Sequence, residues 1–257
     1  MNLSLDFSTA TDYKNNSQKA RVATEAWAAL NMYCPVCEYS TLTRYIANKP
    51  VADFYCEDCS SDFELKSKSA KPSDTLYNDK IVDGAYSTML KRIASRNNPG
   101  LLYMHYDTER VTNLLFVPRF FFISEIIEMR KPLKESARRA GWTGCNIKLE
   151  SVPRVGKIEV IRNGIAESVQ DVVLQYKKVK SLQVNNINAR SWLLNTLLCV
   201  DKLSAEFTLD EIYAFEHELA EKYPNNNNIQ PKIRQQLQIL RNKGLIHFLG
   251  NGRYRKI

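Results

Sequence analysis

The sequence predicts an α+β protein in two parts: a larger unit of mixed strands and helices over residues 1–180, and a smaller helix-plus-hairpin unit over residues 181–257. Three observations carry this. Runs rich in branched and aromatic residues, such as Leu101 to Tyr106, alternate with stretches of helical apolar spacing along the first part. The segment Lys177 to Asn188 is polar, lacks periodicity and reads as a linker. Beyond it, three helical patterns precede two short strands.

The elements follow in order. Residues 17–30 read as an amphipathic helix with Val22, Ala26, Trp27 and Leu30 on one side and Lys19, Arg21 and Glu25 pointing elsewhere. A cysteine segment spans 34 to 59, with strand-like residues from Val51 to Cys56 and from Phe63 to Lys66. Residues 81–95 predict a second helix, with Val82, Tyr86, Met89, Leu90 and Ile93 at helical spacing and Asn97-Asn98-Pro99-Gly100 as its stop. Leu101 to Tyr106, Leu114 to Ile123 and Lys157 to Arg162 read as strands, the last closed by Asn163-Gly164. In the C-terminal part, Ser191 opens a helix through about Val200. Thr208-Leu209-Asp210-Glu211 matches a capping box, and Phe207 with Ile212 a hydrophobic staple. Ile212, Phe215 and Leu219 mark that helix's buried stripe. A third helix runs from Ile229 to Lys243 on a core face of Ile233, Leu237 and Leu240, with Gly244 as its C′ residue. Leu245 to Leu249 and Arg253 to Ile257 form a hairpin around Gly250-Asn251-Gly252. Three helices and a hairpin are the layout of a winged helix, a helix-turn-helix variant that binds DNA.

The bulk composition narrows the function. With 257 residues, 44% hydrophobic and 25% charged, the chain is long enough for a sizeable core and is not disordered in character. It holds no apolar run of membrane-spanning length, and its N-terminus lacks the basic head and apolar stretch of a secretory signal, so a cytoplasmic location is the expectation and a membrane is not. The formal charge of +8 favours polyanionic partners, nucleic acid first among them. Residues 182–257 carry ten basic and seven acidic side chains, so both parts are net basic.

Four of the six cysteines form two pairs, Cys34-Pro-Val-Cys37 and Cys56-Glu-Asp-Cys59, spaced C-x2-C-x18-C-x2-C. Each C-x-x-C turn points two thiolates at one ion, and two turns complete a tetrahedron, so the expectation is a closed, structural zinc site. A redox role is the rival, but redox motifs come singly. Cys199, in an apolar run, reads as a buried side chain, and Cys145 has no clear context.

The second cysteine pair lies inside the gap between Asp53 and Glu64-Leu65-Lys66. On a strand, residues two apart share a face, so Glu64 and Lys66 point the same way and Leu65 packs behind them. If the knuckle folds the chain back, Asp53 meets Glu64. Two such carboxylates need a cation between them, and magnesium suits. Asp53, Glu64 and the Leu65 carbonyl are the expected magnesium ligands. Lys66 would serve the attacking water and offset charge on a phosphate. The bland alternative is a solvated strand face with a weak ion pair. The three histidines are scattered and suggest no nucleophilic site.

Pro50-Val51-Ala52-Asp53, ten intervening residues and Glu64-Leu65-Lys66 resemble the PD-(D/E)xK nuclease signature, with Ala52 where the signature sets its proline before the acid. With the embedded four-cysteine site and the terminal winged helix, the chain resembles the DpnI-type methyl-directed restriction endonucleases over almost its whole length. The stretches that carry this include Tyr13 to Glu25, Phe63 to Lys68, Ala137 to Trp142 and Lys232 to Arg241. The resemblance implies a magnesium-dependent endonuclease on double-stranded DNA with N6-methyladenine in GATC. It implies Asp53, Glu64 and Lys66 as catalytic, and Cys34, Cys37, Cys56 and Cys59 as ligands of a structural zinc ion. Oligomeric state stays open, with a monomer as the working expectation.

Reading one N6-methyl is a small energetic task, about 1 kcal/mol for a buried methyl. Trp142, beside Arg138 and Arg139, is the expected methyl contact of the nuclease part; an ordinary core tryptophan is the alternative. On the third C-terminal helix, Gln235, Gln238 and Asn242 lie opposite the core stripe with Arg234 at the edge, suited to base edges and phosphates. Arg253, Arg255 and Lys256 on the wing are expected at phosphates. Two other readings stay open: a zinc-containing transcription regulator that does not cut, and a structure-selective or RNA nuclease.

Overall fold

The computed structural model describes residues 1–46, 52–71, 74–95 and 98–257. Its first helix, α1 (Asn16–Asn31), is capped by the Asn15 side chain, which accepts from the Ser17 amide. Its buried face is Ala23, Thr24, Glu25, Trp27 and Ala28, while Leu30 is 84% exposed. The predicted stripe is therefore rotated: Leu30 leaves the core and Glu25 enters it. Glu25 is tolerated there because Arg21 and Arg44 pair with it.

Beyond α1 lie β1 (Thr43–Arg44), β2 (Phe54–Tyr55) and β3 (Asp62–Ser69). Val51 and Pro50 lie outside the described residues, and the strand predicted there is Phe54–Tyr55 alone. The segment predicted as one helix over 81–95 divides into β4 (Lys80–Ala85) and α2 (Tyr86–Ala94). Ile81 is buried and Val82 exposed, an alternation that pairing to another strand turns into β structure. The helix ends at Ala94; Asn97 of the predicted stop lies outside the described residues.

The central strands are β5 (Gly100–Tyr106) and β6 (Val111–Val117), buried at every residue and so covered on both faces. The strand expected to run on to Ile123 stops at Val117. Pro118 has no amide to donate, and a 3-10 turn, Arg119–Phe121, follows. Then come β7 (Ile127–Met129), β8 (Gly144–Lys148), β9 (Ile158–Arg162) and β10 (Ile165–Ala166). Asn163 and Gly164 both take positive φ, 50° and 73°, and close a tight β9–β10 hairpin.

Among the described residues, these strands form a seven-stranded sheet ordered β1-β2-β3-β5-β6-β9-β10, and a three-stranded sheet β4-β8-β7. Only β3 and β5 pair in parallel in the larger sheet, because β4 and α2 form the crossover between them.

The predicted linker is half helical: its two ends belong to helices, and only residues 181–186 connect them. α3 (Val169–Lys180) takes Ser168 as its N-cap, and α4 (Ile187–Lys202) starts four residues before the predicted Ser191 because the Asn186 side chain caps the Ala189 amide. α3 was hidden by a polar face over buried Val172, Val173, Tyr176 and Val179. Then come β11 (Glu206–Thr208), α5 (Leu209–Tyr213), α6 (Glu216–Lys222), α7 (Ile229–Asn242), β12 (Ile246–Gly250) and β13 (Arg253–Lys256). The capping box at Thr208 and Glu211 forms as predicted, and Ile233, Leu237 and Leu240 are fully buried. The hairpin gains β11 as a third strand, in the order β11-β13-β12.

The buried apolar residues make one cluster spanning both parts of the chain. Trp192 and Leu193 of α4 belong to it, and Arg190 reaches across to donate to the Phe122 carbonyl at 3.2 Å. No helix of the described residues is long and apolar enough to cross a membrane.

Candidate active site and metal centre

The two C-x-x-C turns fold alike. The Cys34 amide donates to the Tyr39 carbonyl and the Glu38 amide to the Cys34 carbonyl; the Cys56 amide donates to Ser61 and the Ser60 amide to Cys56. Glu38 and Ser60 each take positive φ, 72° and 55°, which curls the turn around its two sulfurs. The four Sγ atoms lie within 4.8 Å of one another, with Cys34 to Cys59 at 3.7 Å and Cys37 to Cys56 at 3.5 Å. Four zinc–sulfur bonds of about 2.3 Å in a tetrahedron set sulfurs roughly 3.8 Å apart, so the donor set fits such an ion in number, chemistry and spacing. Burial first, and the neighbouring cysteines after it, push the Cys34 thiol up and the Cys37 thiol up to about 12. A bound dication reverses that push, because a coordinating thiol is deprotonated.

The knuckle at Cys56–Cys59 is the turn between β2 and β3. Their antiparallel register sets Phe54 opposite Phe63, both buried. The Asp53 amide donates to the Phe63 carbonyl at 2.9 Å, so the chain bends just before β2 and stays tied to β3. The Asp53 carboxylate accepts from the Leu65 amide at 2.8 Å. On the same strand the Lys66 ammonium is 2.9 Å from Glu64, and Leu65 packs against the core. The hairpin thus ties the Asp53 carboxylate to the backbone of the strand that presents Glu64 and Lys66 together, and the two carboxylates offer oxygen donors that suit a hard cation.

The surroundings include residues the sequence reading missed. Lys66 also donates to Asp83 on β4 at 3.0 Å, and Arg92 on α2 pairs with the other Glu64 oxygen at 3.1 Å. Burial works against the charge of Lys66, yet the carboxylates of Glu64 and Asp83 hold its pKa above the usual lysine range. Glu25 lies near enough to Asp53 to feel its charge. Burial, more than that neighbour, raises the Glu25 carboxyl, and Arg44 and Arg21 oppose the rise. Reading 81–85 as a strand would have found Asp83, since it shares a face with buried Ile81. Nothing local marks Glu25. Two register positions further along the parallel β3–β5 ladder, His105 meets Asp79 at 2.6 Å, with Tyr103 at 2.7 Å and Lys68 at 2.7 Å from the same carboxylate.

The candidate DNA contacts occupy two places. Arg138, Arg139 and Trp142 lie on the exposed basic connection between β7 and β8, and the Arg139 guanidinium stacks 4.9 Å from the Trp142 ring centre. Trp142 is half-buried, so it is not an ordinary core residue. Arg234, Gln235, Gln238 and Asn242 are exposed on α7. Arg234 bonds the Tyr213 hydroxyl. Arg253 and Arg255 are exposed on one face of β13 and pair with Glu206 at 3.2 Å and 2.8 Å. Lys256 departs from its expected place at phosphates. It falls on the opposite face and donates inward to the carbonyls of Asp201 and Leu203.

Comparison with known families gives two matches. The model described as the Dam-replacing family covers residues 1–185, and that described as the Dam-replacing HTH domain covers residues 188–256.

Proposed function

The chain belongs to the Dam-replacing family, and from that premise we propose that it is a magnesium-dependent endonuclease that cuts double-stranded DNA at N6-adenine-methylated GATC. In this reading residues 1–180 are a PD-(D/E)xK nuclease domain with an embedded zinc site, and residues 181–257 are a winged-helix DNA-binding domain. The observation that carries it is Asp53 bonded to the Leu65 amide at 2.8 Å, beside a strand face that presents Glu64 and Lys66 together.

Asp53, Glu64 and the Leu65 carbonyl would hold the magnesium ion, which when bound acidifies a water and offsets charge on a phosphate. Lys66 orients the attacking water and donates to the phosphate oxygen on which charge grows. The hairpin around Cys56 and Cys59 keeps the two carboxylates in register, so the zinc-held knuckle is structural. Arg138, Arg139, Arg234 and Arg253 contact backbone phosphates, Gln235 and Gln238 read base edges, and Trp142 supports the methyl. The exposed basic connection at Trp142 and the exposed α7 face favour two readers in series, each adding about 1 kcal/mol for the methyl.

The test is digestion, with magnesium, of plasmid from Dam-positive and Dam-negative hosts. Fragments from the methylated plasmid alone are expected. Cutting of both would remove the methyl-directed reading, and intact DNA in both would favour a regulator that binds without cutting.

A further inference from the structure

Asp83 is an acid for which the chemistry above has no use. Its side chain is only 6% exposed. One carboxylate oxygen accepts from the Lys66 ammonium at 3.0 Å and from the Gly84 amide at 2.6 Å. The other is buried without a hydrogen-bond partner among the described residues. A buried, half-satisfied carboxylate is costly to a fold, so its presence calls for a reason. Its aim is also built. β4 pairs with β8 through Asp83 opposite Cys145, and the register then steps over Gly84 to Ala85. Such a step re-aims the neighbouring side chain. The Cys145 thiol lies 3.4 Å from the Gly84 carbonyl and packs the step in place.

The ammonium of Lys66 is shared between two anions, Glu64 at 2.9 Å and Asp83 at 3.0 Å. Only one of them is asked to ligate a dication. An ammonium and a dication compete for Glu64, and without a second anion Lys66 would either block the ion or be expelled by it. We propose that Asp83 is the positioning residue of this site, the counter-ion that keeps Lys66 in place once a dication takes Glu64. This inference rests on the metal-dependent nuclease reading. Asp83 acts through Lys66 and touches neither the ion nor the DNA.

The test uses the full-length, zinc-loaded chain. Mn2+ is titrated calorimetrically without DNA, and single-turnover cleavage of methylated plasmid is measured at saturating metal. In D83N, Lys66 is left to Glu64 alone, so Mn2+ affinity is expected to fall about tenfold, the size of a typical direct pair coupling. Cleavage at saturating metal should fall as well. K66M and K66M/D83N supply the decisive comparison. Without the ammonium, removing the Asp83 charge should change Mn2+ affinity by less than about threefold, because the coupling partner is gone. These two variants also carry the test should D83N fold poorly, since the double variant leaves no uncompensated charge. A D83N chain that binds Mn2+ and cuts like the parent overturns the inference alone. So does a tenfold loss from D83N in the K66M background, which would make Asp83 a ligand. A parent chain that neither binds Mn2+ nor cuts overturns this inference together with the function it rests on.

Discussion

Lys66 sits between two carboxylates on different strands, and its alkyl stem runs along a strand whose neighbours pack into the core. Replacing it with alanine removes an ammonium that reaches both Glu64 and Asp83. Lys66→Ala is expected to lower cleavage by roughly a thousandfold or more, the scale of losing a preorganised charge stabiliser. Gel-shift affinity for DNA should stay near the parent's, and lost binding would mean a structural role. His105 offers a second prediction, in pH. Burial holds its pKa below the ordinary histidine range, although Asp79 pulls the other way. The unfolded chain therefore takes up the proton first, near pH 6.5. Stability is fully present above that pH and is lost as pH falls toward the lower folded value. His105→Gln should flatten this decline, read as urea midpoints at pH 8 and pH 5.5; an equal decline in both proteins would show that other groups set it.

Single elements carry their own tests. The reciprocal cap of α5 satisfies the Glu211 amide with the Thr208 hydroxyl and the Thr208 amide with Glu211. Thr208→Ala is expected to cost about 1 kcal/mol, which for a chain of this size lowers Tm by roughly 2–4 °C. The β2–β3 hairpin depends on its knuckle instead. Its strands pair through only two register positions, too few to hold a turn without a further constraint. One zinc per chain by emission spectrometry is expected, with Cys56→Ser losing both the metal and cleavage. Amide exchange should then rise first in β1, β2 and the start of β3, while α4 to α7 stay protected. Retained protection in the hairpin would detach the knuckle from the catalytic register.

For the molecule as a whole, the issue is how the two parts move. Their buried side chains form one core, and Arg190 ties α4 to the carbonyls of Phe122 and Val184, each at 3.2 Å. Across the same joint, the Arg154 amide donates to Asp201 at 2.7 Å and Asn195 to Glu125 at 3.2 Å. These contacts predict a single cooperative unfolding transition by calorimetry. Arg190→Ala removes both bonds and takes the donor from the buried Phe122 carbonyl, at about 1–3 kcal/mol. The expected result is a lower, broadened or split transition, with nicking by protease between α3 and α4. An unchanged single transition would show that the apolar contacts alone join the parts.

By itself the sequence determined the chemistry at hand. The four cysteines and the acid–x–lysine strand were legible because a metal knuckle and a period-two strand are local rules that need no distant partner. The capping box and the α7 stripe were legible for the same reason. Tertiary structure decided what those residues meet. Glu25 entered the core because Arg44 arrived from β1 to join Arg21 of its own helix, and residues 80–85 became a strand because β8 offered an edge. Lys256 turned inward through the alternation of β13 against β11 and β12. Asp83 reached Lys66 by a register step that no spacing announces. Pairing across a sheet and burial of charge depend on residues far apart in the chain, so their outcome is fixed only once the whole chain has folded.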